Sequence, residues 1–321
     1  MKVAMVGCGA LGSYYGARLC RDGQETHFLL RSDYEAVRRH GVRVRSPEGD
    51  FHVRPQCARR PEEIGFWDLV LSGLKTTAND QFARLLPPLI GRATLLLTLQ
   101  NGLGNERQLA ALFGGQNVLG GLCFVCLNRL EPGLIQHSAH GRVVIGEYQR
   151  RPQARTHDIA LLMRHAGVPC EVTENLERAH WEKLVWNIPF NGLGVAGTAG
   201  YDAVTQGTRP PGSRLDPCLT TDRLLSDPRW ESLVRELMAE VIAAANALGL
   251  KVRGDLAGQQ IAKTLTMGAY KASTLVDFER GQALELESLF LEPLCQARQA
   301  GVATPRLAAL CALLQQLNPA C

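Results

Sequence analysis

Three polar residues at helical spacing are the strongest candidates for chemistry in the second half of the chain. Lys183, Asn187 and Asn191 lie four residues apart in the segment 181–191. On an α-helix with 3.6 residues per turn they form one stripe that drifts by about 40° per step. Most of their neighbours are apolar, so the stripe is either a set of pairing partners in the core or the floor of a cleft.

A lysine among apolar residues points to acid–base chemistry. Lysine is rarely buried without a partner, and burial lowers the pKa of an ammonium group, so we expect Lys183 to give up a proton near neutral pH. Reduction of a ketone needs such a proton for the developing alkoxide, together with a hydride from a nicotinamide. The alternative is a salt-bridged structural lysine accompanied by capping amides.

The start of the chain predicts the partner that would supply the hydride. Lys2 to Val6 is an apolar run typical of a strand, and Gly7-Cys8-Gly9-Ala10-Leu11-Gly12 follows it before a helical pattern and a second strand. In this context G-x-G-x-x-G is the dinucleotide-binding fingerprint. Gly7 permits the tight turn, Gly9 permits close approach of a pyrophosphate, and Gly12 permits close packing of helix and strand. The helix N-terminus then faces the phosphates.

The residue that ends the second strand indicates which dinucleotide binds. An NAD site usually has Asp or Glu there, which holds the ribose 2′-hydroxyl, whereas this strand ends in Arg31. A guanidinium suits a 2′-phosphate because it can form paired, charge-assisted hydrogen bonds. Asp33 is interpreted as the start of the next helix. We therefore predict NADP(H), with a solvated Arg31 as the alternative.

Two polar turns follow two further buried strands. Lys75 lies in Leu74-Lys75-Thr76-Thr77, and Asn101 lies in Gln100-Asn101-Gly102. Ligands of doubly wound sheets bind outside the carboxyl ends of the strands. We expect both turns to face the phosphates or the nicotinamide, the alternatives being a solvated lysine and an ordinary Asn-Gly turn.

Composition limits the classes of function. The 321 residues are 45% hydrophobic and 21% charged, with a net charge of +4, as in a globular protein of two domains. The basic clusters are too short to indicate nucleic acid binding, and no segment approaches the ~18 apolar residues of a membrane span. Since the first strand begins at Lys2, no signal peptide is expected and the protein should be cytoplasmic. The ten scattered cysteines predict reduced core residues and no metal site.

The patterns predict an α/β fold, with an N-terminal Rossmann-type, doubly wound sheet over 1–174 and an all-helical domain over 175–321. Expected strands are 2–6, 26–30, 68–72, 94–99, 118–127 and 168–172, with a hairpin at 42–45 and 51–54 and a closing antiparallel pair at 133–137 and 142–146. Expected helices are 34–40, 81–89, 105–113, 177–191, 230–248, 256–270, 284–300 and 306–317, and 201–222 is interpreted as a loop insertion. The apolar content of the helical domain suggests a homodimer.

These stretches together resemble the ketopantoate reductase (2-dehydropantoate 2-reductase) family. The matching segments span nearly the whole chain and are 6–12, 75–77, 100–102, 183–191 and 273–287. The resemblance implies NADPH-dependent reduction of 2-dehydropantoate to pantoate, a step of pantothenate and coenzyme A synthesis, in a cleft between the two domains. It makes Lys183 the general acid, and Arg31 and Lys75 the 2′-phosphate contacts. Its substrate-binding residues fall on Asn101, Asn187, Asn191, Ser273 and Glu285.

Two segments depart from the family's pattern. Thr-Glu-Ile-Asp followed by Asn-Gly is usual there, whereas this chain has Leu284-Glu285-Leu286-Glu287 and then Phe290-Leu291. The segment 201–222 is also longer than the usual connection. Both bear on which 2-keto acid is the substrate. The alternatives are a different 2-keto or 3-hydroxy acid dehydrogenase on the same plan, or an NADP(H)-binding regulatory or redox-sensing protein.

Overall fold

The chain divides into two compact units, Met1–Leu176 and Glu177–Cys321, in a computed structural model that describes residues 1–318. The first unit is α/β and the second is helical, which confirms the predicted fold class. The sequence patterns predict the boundary two residues earlier, between 174 and 175. Which ligand each domain holds stays a prediction.

Within the described residues all strands lie in the first unit and form one ten-stranded sheet. In chain order they are β1 (Lys2–Val6), β2 (Glu25–Leu29), β3 (Val42–Arg45), β4 (Phe51–Val53), β5 (Gln56–Ala58), β6 (Leu69–Ser72), β7 (Leu95–Thr98), β8 (Val118–Glu131), β9 (Leu134–Glu147) and β10 (Cys170–Val172). The sheet order is β4-β3-β9-β8-β7-β6-β1-β2-β5, and β10 pairs with β9. All pairs from β8 to β5 along this order are parallel.

Helices cover both faces of this sheet. They are α1 (Ala10–Arg21), α2 (Tyr34–His40), α3 (Phe82–Leu85), α4 (Asn105–Phe113) and α5 (Ala154–His165). Alternate residues of β1 enter two separate cores: Val3 and Met5 pack with α1 and α5, whereas Ala4 and Val6 pack with α3 and α4. A strand buried on both faces must be apolar throughout, which explains the uninterrupted run at the start of the chain.

The predicted closing antiparallel pair is wrong. Residues 133–137 and 142–146 belong largely to one strand, β9, which pairs with β8 in antiparallel register. The polar residues between them do not reverse the chain. His140 and Gly141 instead take φ angles of 64° and 137°, and the β8–β9 register shifts nearby. Such bulges bend a strand without ending it.

The predicted helix over 81–89 is broken. The α-helical part is α3, between two 3₁₀ segments, Thr76–Gln81 and Pro87–Leu89. Pro87 and Pro88 have no backbone N–H to continue an α-helix. The edge strand β5 and the helix α5 were not predicted from the sequence.

The second unit is helical throughout its regular structure. Its helices are α6 (Leu176–Ala196), α7 (Tyr201–Gln206), α8 (Thr221–Ser226), α9 (Pro228–Ala247), α10 (Leu256–Leu265), α11 (Ser273–Glu279), α12 (Glu292–Gln299) and α13 (Pro305–Leu317). A π-helical turn, Glu287–Leu291, leads directly into α12. The helix α9 begins two residues before the predicted start at 230. Asp227 Oδ1 accepts a hydrogen bond from the Arg229 N–H at 2.8 Å, and Pro228 occupies the first helical position.

Three predictions for this unit need correction, one of a loop and two of helices. The segment 201–222 is not one loop, since α7 occupies its start and α8 begins at Thr221; Tyr201 packs edge-on against Trp230, with ring centroids 5.1 Å apart. The predicted helix over 256–270 ends at Leu265. The predicted helix over 284–300 begins with the π-helical turn at Glu287.

Among residues 1–318, no helix combines the length and the apolar character that a membrane crossing requires.

Candidate active site

The predicted cofactor residues of the first unit lie at one edge of the sheet. The strands β7, β6, β1 and β2 are neighbours and run parallel. Their carboxyl ends lead into Asn101, Lys75, the glycine-rich turn 7–12 and Arg31, respectively. Parallel strands bring such ends to the same edge, which is where ligands of doubly wound sheets bind.

Two glycines of the turn are needed for packing. Gly7 has a φ of 87°, and a Cβ added there would lie 2.3 Å from the Leu74 backbone N. A Cβ on Gly12 would lie 2.3 Å from the Gly7 carbonyl oxygen. The turn after β1 therefore packs backbone to backbone against the start of α1 and against the turn after β6.

Gly9 has a different environment. A Cβ built on this residue meets nothing within 4 Å, although Gly9 directly precedes α1. The first turn of α1 contains no acidic residue, and no side chain caps it. A helix N-terminus has backbone N–H groups without helical partners and a partial positive charge. The open space over Gly9 therefore fits a pyrophosphate, as the fingerprint predicts.

Cys8 is held in the turn by structural contacts. Its thiol donates to the Met5 carbonyl at 3.5 Å, and the Ser13 hydroxyl donates to the Cys8 carbonyl at 3.0 Å. Burial, followed by the nearby Cys57 and Asp33, raises the pKa of the Cys8 thiol well above its usual value. A thiol in this environment is a poor nucleophile. Its backbone, rather than its sulfur, is the part suited to a cofactor.

Exposed cations follow the ends of β2 and β6. Arg31 and Lys75 are exposed. Asp33 is 4% exposed; its Oδ1 accepts hydrogen bonds from Arg129 Nη1 at 2.8 Å and from the Ser32 hydroxyl at 2.8 Å. The acid nearest the end of β2 is thus engaged by a guanidinium from β8. No local sequence pattern predicts this contact, because the two residues are 96 positions apart.

A chain of amides fixes the turn that contains Asn101. The Thr98 hydroxyl donates to Gln100 Oε1 at 2.8 Å, and Gln100 Nε2 donates to Asn79 Oδ1 at 2.7 Å. Asn79 Nδ2 then donates to Asn105 Oδ1 at 2.9 Å, and Asn105 Nδ2 donates to the Asn101 carbonyl at 3.0 Å. The turns after β6 and β7 are therefore joined. Asn79 and Asn105, which position the turn, were not predicted from the sequence.

In the second unit, the stripe predicted from the sequence lies on α6. Lys183 is half-buried, whereas Asn187 and Asn191 are 7% and 2% exposed. Pro189 is also part of this helix and has no N–H to donate to the Val185 carbonyl. Helical spacing thus aligns one cation and two buried amides, and buried amides require hydrogen-bond partners.

Asn191 and Ser273 meet in the structure. Asn191 Oδ1 accepts from the Ser273 hydroxyl at 3.3 Å and from the Thr274 N–H at 3.0 Å. The exposed Ser273 begins α11. Two residues predicted to bind substrate are therefore in direct contact, although they are 82 positions apart.

Glu285 lies beyond α11, just before the π-helical turn, and is 5% exposed. Its backbone carbonyl accepts from the Leu289 N–H at 3.3 Å. A carboxyl group with so little exposure must be hydrogen-bonded or paired.

Aromatic side chains flank the stripe on α6. They were not predicted to be part of the site. Trp186 is half-buried; its indole N–H donates to the Thr264 hydroxyl at 2.8 Å. Its ring centroid is 5.0 Å from that of Phe190 and 6.2 Å from that of Tyr270. On the helix, Trp186 and Phe190 immediately precede Asn187 and Asn191. The apolar run that contains these two residues was the sequence feature from which they could have been predicted.

The glycine-rich turn 7–12 lies at the carboxyl edge of parallel strands, and the helical unit that follows contains a lysine and two amides. These features define a pyridine-nucleotide-dependent oxidoreductase. Two family models match the chain. The model described as "Ketopantoate reductase PanE/ApbA" matches residues 3–150, and the model of that family's C-terminal part matches residues 218–318. The chain therefore belongs to the ketopantoate reductase family.

Individual relatives agree with this assignment. The 2-dehydropantoate 2-reductase of Nostoc sp. is 36% identical, over 95% of this chain and 92% of its own length. The crystal structure of 2-dehydropantoate 2-reductase from Geobacter metallireducens has a TM-score of 0.90 at 44% identity, covering 98% of this chain and 99% of that one. D-mandelate dehydrogenase, solved with NADH and anilino(oxo)acetate, has a TM-score of 0.85 at 18% identity, with 99% and 98% covered; this likeness concerns the fold alone.

Proposed function

We propose that the protein reduces 2-dehydropantoate to pantoate with NADPH and that Lys183 is the general acid. The observation that carries this proposal is the stripe on α6, where a half-buried lysine is followed by two buried amides, the second of which contacts Ser273. The resemblance to the family assigns the acid and substrate-binding roles to Lys183, Asn187, Asn191, Ser273 and Glu285. A protein that only sensed the cofactor would need the glycine-rich turn 7–12 but not these five residues.

The residues at the sheet edge support NADPH as the cofactor. The open space over Gly9 suits the pyrophosphate, and the backbone of the turn 7–12 would hold it. Arg31 and Lys75 are exposed cations suited to a 2′-phosphate. Asp33, the acid that would favour a 2′-hydroxyl, is already engaged by Arg129.

The chemistry requires a hydride and a proton. Bound NADPH supplies the hydride to the ketone carbon. Lys183 gives a proton from Nζ to the ketone oxygen, so the products are a secondary alcohol and a neutral amine. Asn187 and Asn191 can donate hydrogen bonds to the carboxylate or hydroxyl of the substrate, and Glu285 can accept one from a substrate hydroxyl. Asn101, in the turn after β7, stays a predicted contact of the substrate and the cofactor.

A second candidate is the reduction of a 2-keto acid with a larger apolar substituent. The half-buried Trp186, packed with Phe190 and Tyr270 beside the stripe, favours this candidate. Aromatic rings contribute large apolar area to a binding site. The sequence also departs from the family's pattern at Leu286-Glu287, directly after Glu285. This departure bears on which 2-keto acid is the substrate.

A steady-state assay with purified protein tests both candidates. Loss of nicotinamide absorbance is followed with NADPH or NADH and with 2-dehydropantoate, branched 2-keto acids and phenylpyruvate. The highest kcat/KM is expected for NADPH with 2-dehydropantoate. A higher value for another 2-keto acid would favour the second candidate. Tight NADPH binding without turnover of any substrate would instead favour a regulatory or redox-sensing protein.

The biological role also follows from the proposed activity. Complementation of a pantothenate auxotroph that lacks its own 2-dehydropantoate reductase tests the pathway assignment, with the Lys183→Met variant as the matched control. The cytoplasmic location and the homodimer inferred from the sequence stay predictions.

A further inference from the structure

The Asp33–Arg129 pair joins the end of β2 to the distal part of β8. The Asp33 side chain is 6% exposed, whereas that of Arg129 is 41% exposed. The distance between Arg129 Nη1 and Asp33 Oδ1 is 2.8 Å, and the Ser32 hydroxyl donates to the same oxygen at 2.8 Å. One oxygen of the carboxylate, Oδ1, is therefore held both by the neighbouring hydroxyl and by a cation that is distant in sequence.

Asp33 has two local alternatives that this arrangement prevents. It precedes α2, yet its side chain accepts no capping hydrogen bond from that helix, although Asp is among the preferred capping residues. It also lies two residues after Arg31, where an acid can reach the ribose of a dinucleotide. Asp33 follows β2, which pairs with β1 in the sheet, and the glycine-rich turn 7–12 follows β1.

NADH and NADPH differ in how they interact with a carboxylate near the end of β2. A carboxylate near the end of the second strand accepts hydrogen bonds from the 2′-hydroxyl of NADH and favours that cofactor. The same carboxylate repels the 2′-phosphate of NADPH, because like charges brought together across an interface are strongly unfavourable. An arginine that pairs with the carboxylate removes both effects.

We propose that Arg129 is a positioning residue for cofactor choice: by holding Asp33, it keeps a carboxylate away from the ribose site and shifts the preference towards NADPH. The proposal rests on the NADPH-binding site proposed above. It assigns a role in specificity to a residue on β8, outside the glycine-rich turn and outside the segment that follows β2.

The test compares equilibrium dissociation constants of NADPH and NADH, measured by fluorescence or calorimetry without substrate. In Arg129→Met the affinity for NADPH should fall by at least about tenfold, and the affinity for NADH should stay the same or rise. The double variant Arg129→Met/Asp33→Asn should recover NADPH affinity to within about threefold of the natural protein. It has no carboxylate at position 33 that could repel the 2′-phosphate. Asp33→Asn alone should retain NADPH binding.

Arg142→Met is the matched control. Arg142 is also 41% exposed and pairs with Glu171 at 2.9 Å, across β9 and β10; its loss should leave the ratio of the two constants unchanged. Equal weakening of both cofactors in Arg129→Met, or no rescue by Asp33→Asn, would assign Arg129 a structural role only. If Arg129→Met does not fold, a selective loss of NADPH affinity in Asp33→Asn alone would overturn the proposal.

The outcome is separable from that of the proposed function. A natural protein that prefers NADH would contradict the proposed NADPH dependence. The change in the ratio of dissociation constants on Arg129→Met would still decide whether the pair controls cofactor choice.

Discussion

The side-chain oxygen of Asn191, on α6, accepts a hydrogen bond from the backbone N–H of Thr274, in the first turn of α11, at 3.0 Å. The first N–H groups of a helix have no partner within the helix, so Asn191 caps a helix far away in sequence. Its oxygen is used for structure, and the proposed function uses its Nδ2 group as a donor to the substrate. One amide thereby links the fold of the second unit to the proposed substrate site.

Substitutions at Asn191 should separate these two roles. Asn191→Asp keeps the oxygen acceptor but replaces the amide donor with a negative charge. We expect near-natural thermal stability and a KM for 2-dehydropantoate raised by about tenfold or more, because the substrate is itself a carboxylate. Asn191→Ala should in addition lose about 0.5–2 kcal/mol of unfolding free energy, as other lost caps do. An Asn191→Asp variant with natural KM would show that the amide does not meet the substrate.

The glycine-rich turn allows a matched pair of variants. Gly9→Ala adds a methyl group to open space at an ordinary φ of −74°, so the melting temperature should change little while NADPH binding weakens. Gly12→Ala would bring a Cβ to 2.3 Å from the Gly7 carbonyl oxygen, so this variant should be destabilised. Thermal denaturation and fluorescence titration measure the two effects. Undiminished cofactor binding in Gly9→Ala would place the pyrophosphate elsewhere.

Arg31 should contribute to the binding of one cofactor only. A hydrogen bond to a charged group contributes about 1.5–3 kcal/mol, so Arg31→Ala should weaken NADPH binding by roughly 10- to 100-fold and leave NADH binding nearly unchanged. Arg92→Ala is the control, since Arg92 is also exposed but precedes β7 at the other end of the strand. Equal losses for both cofactors would mean that Arg31 does not contact the 2′-phosphate.

The sequence predicted the parts of the fold that depend on local pattern. The turn 7–12 and the helices α2 and α4 lie where spacing and breakers put them. The continuous β9 could not be predicted, because its bulge at His140 persists only through pairing with β8. Likewise, the Asn79–Gln100 contact exists because β6 and β7 are adjacent in the sheet, which no local pattern specifies.

The thiols should react in an order set by burial. Burial raises the pKa of Cys218 from 9.0 to about 11 and that of Cys311 to about 12, and it raises that of Cys8 well above its usual value. A raised thiol pKa lowers the reactive thiolate fraction at pH 8, by about 100-fold for Cys218. Among the cysteines of residues 1–318, iodoacetamide at pH 8 should therefore modify the exposed Cys295 first. Mass spectrometry of peptides measures the order, and labelling of Cys218 should increase as the pH approaches 11. Early modification of Cys8 would indicate that the glycine-rich turn 7–12 opens.

Lys183 is the residue on which the proposed mechanism depends most. If its Nζ delivers the proton to the ketone oxygen, removal should lower kcat far more than it weakens NADPH binding. General acid catalysis contributes roughly 10²–10⁴-fold, so Lys183→Ala should lose about that much in kcat. Lys183→Met keeps the length and the apolar part of this half-buried side chain and separates chemistry from packing. A comparison of kcat with the dissociation constant of NADPH distinguishes a lost proton donor from a lost binding contact. If Lys183→Met folds normally and reduces 2-dehydropantoate at nearly the natural rate, the lysine is structural and another group must supply the proton.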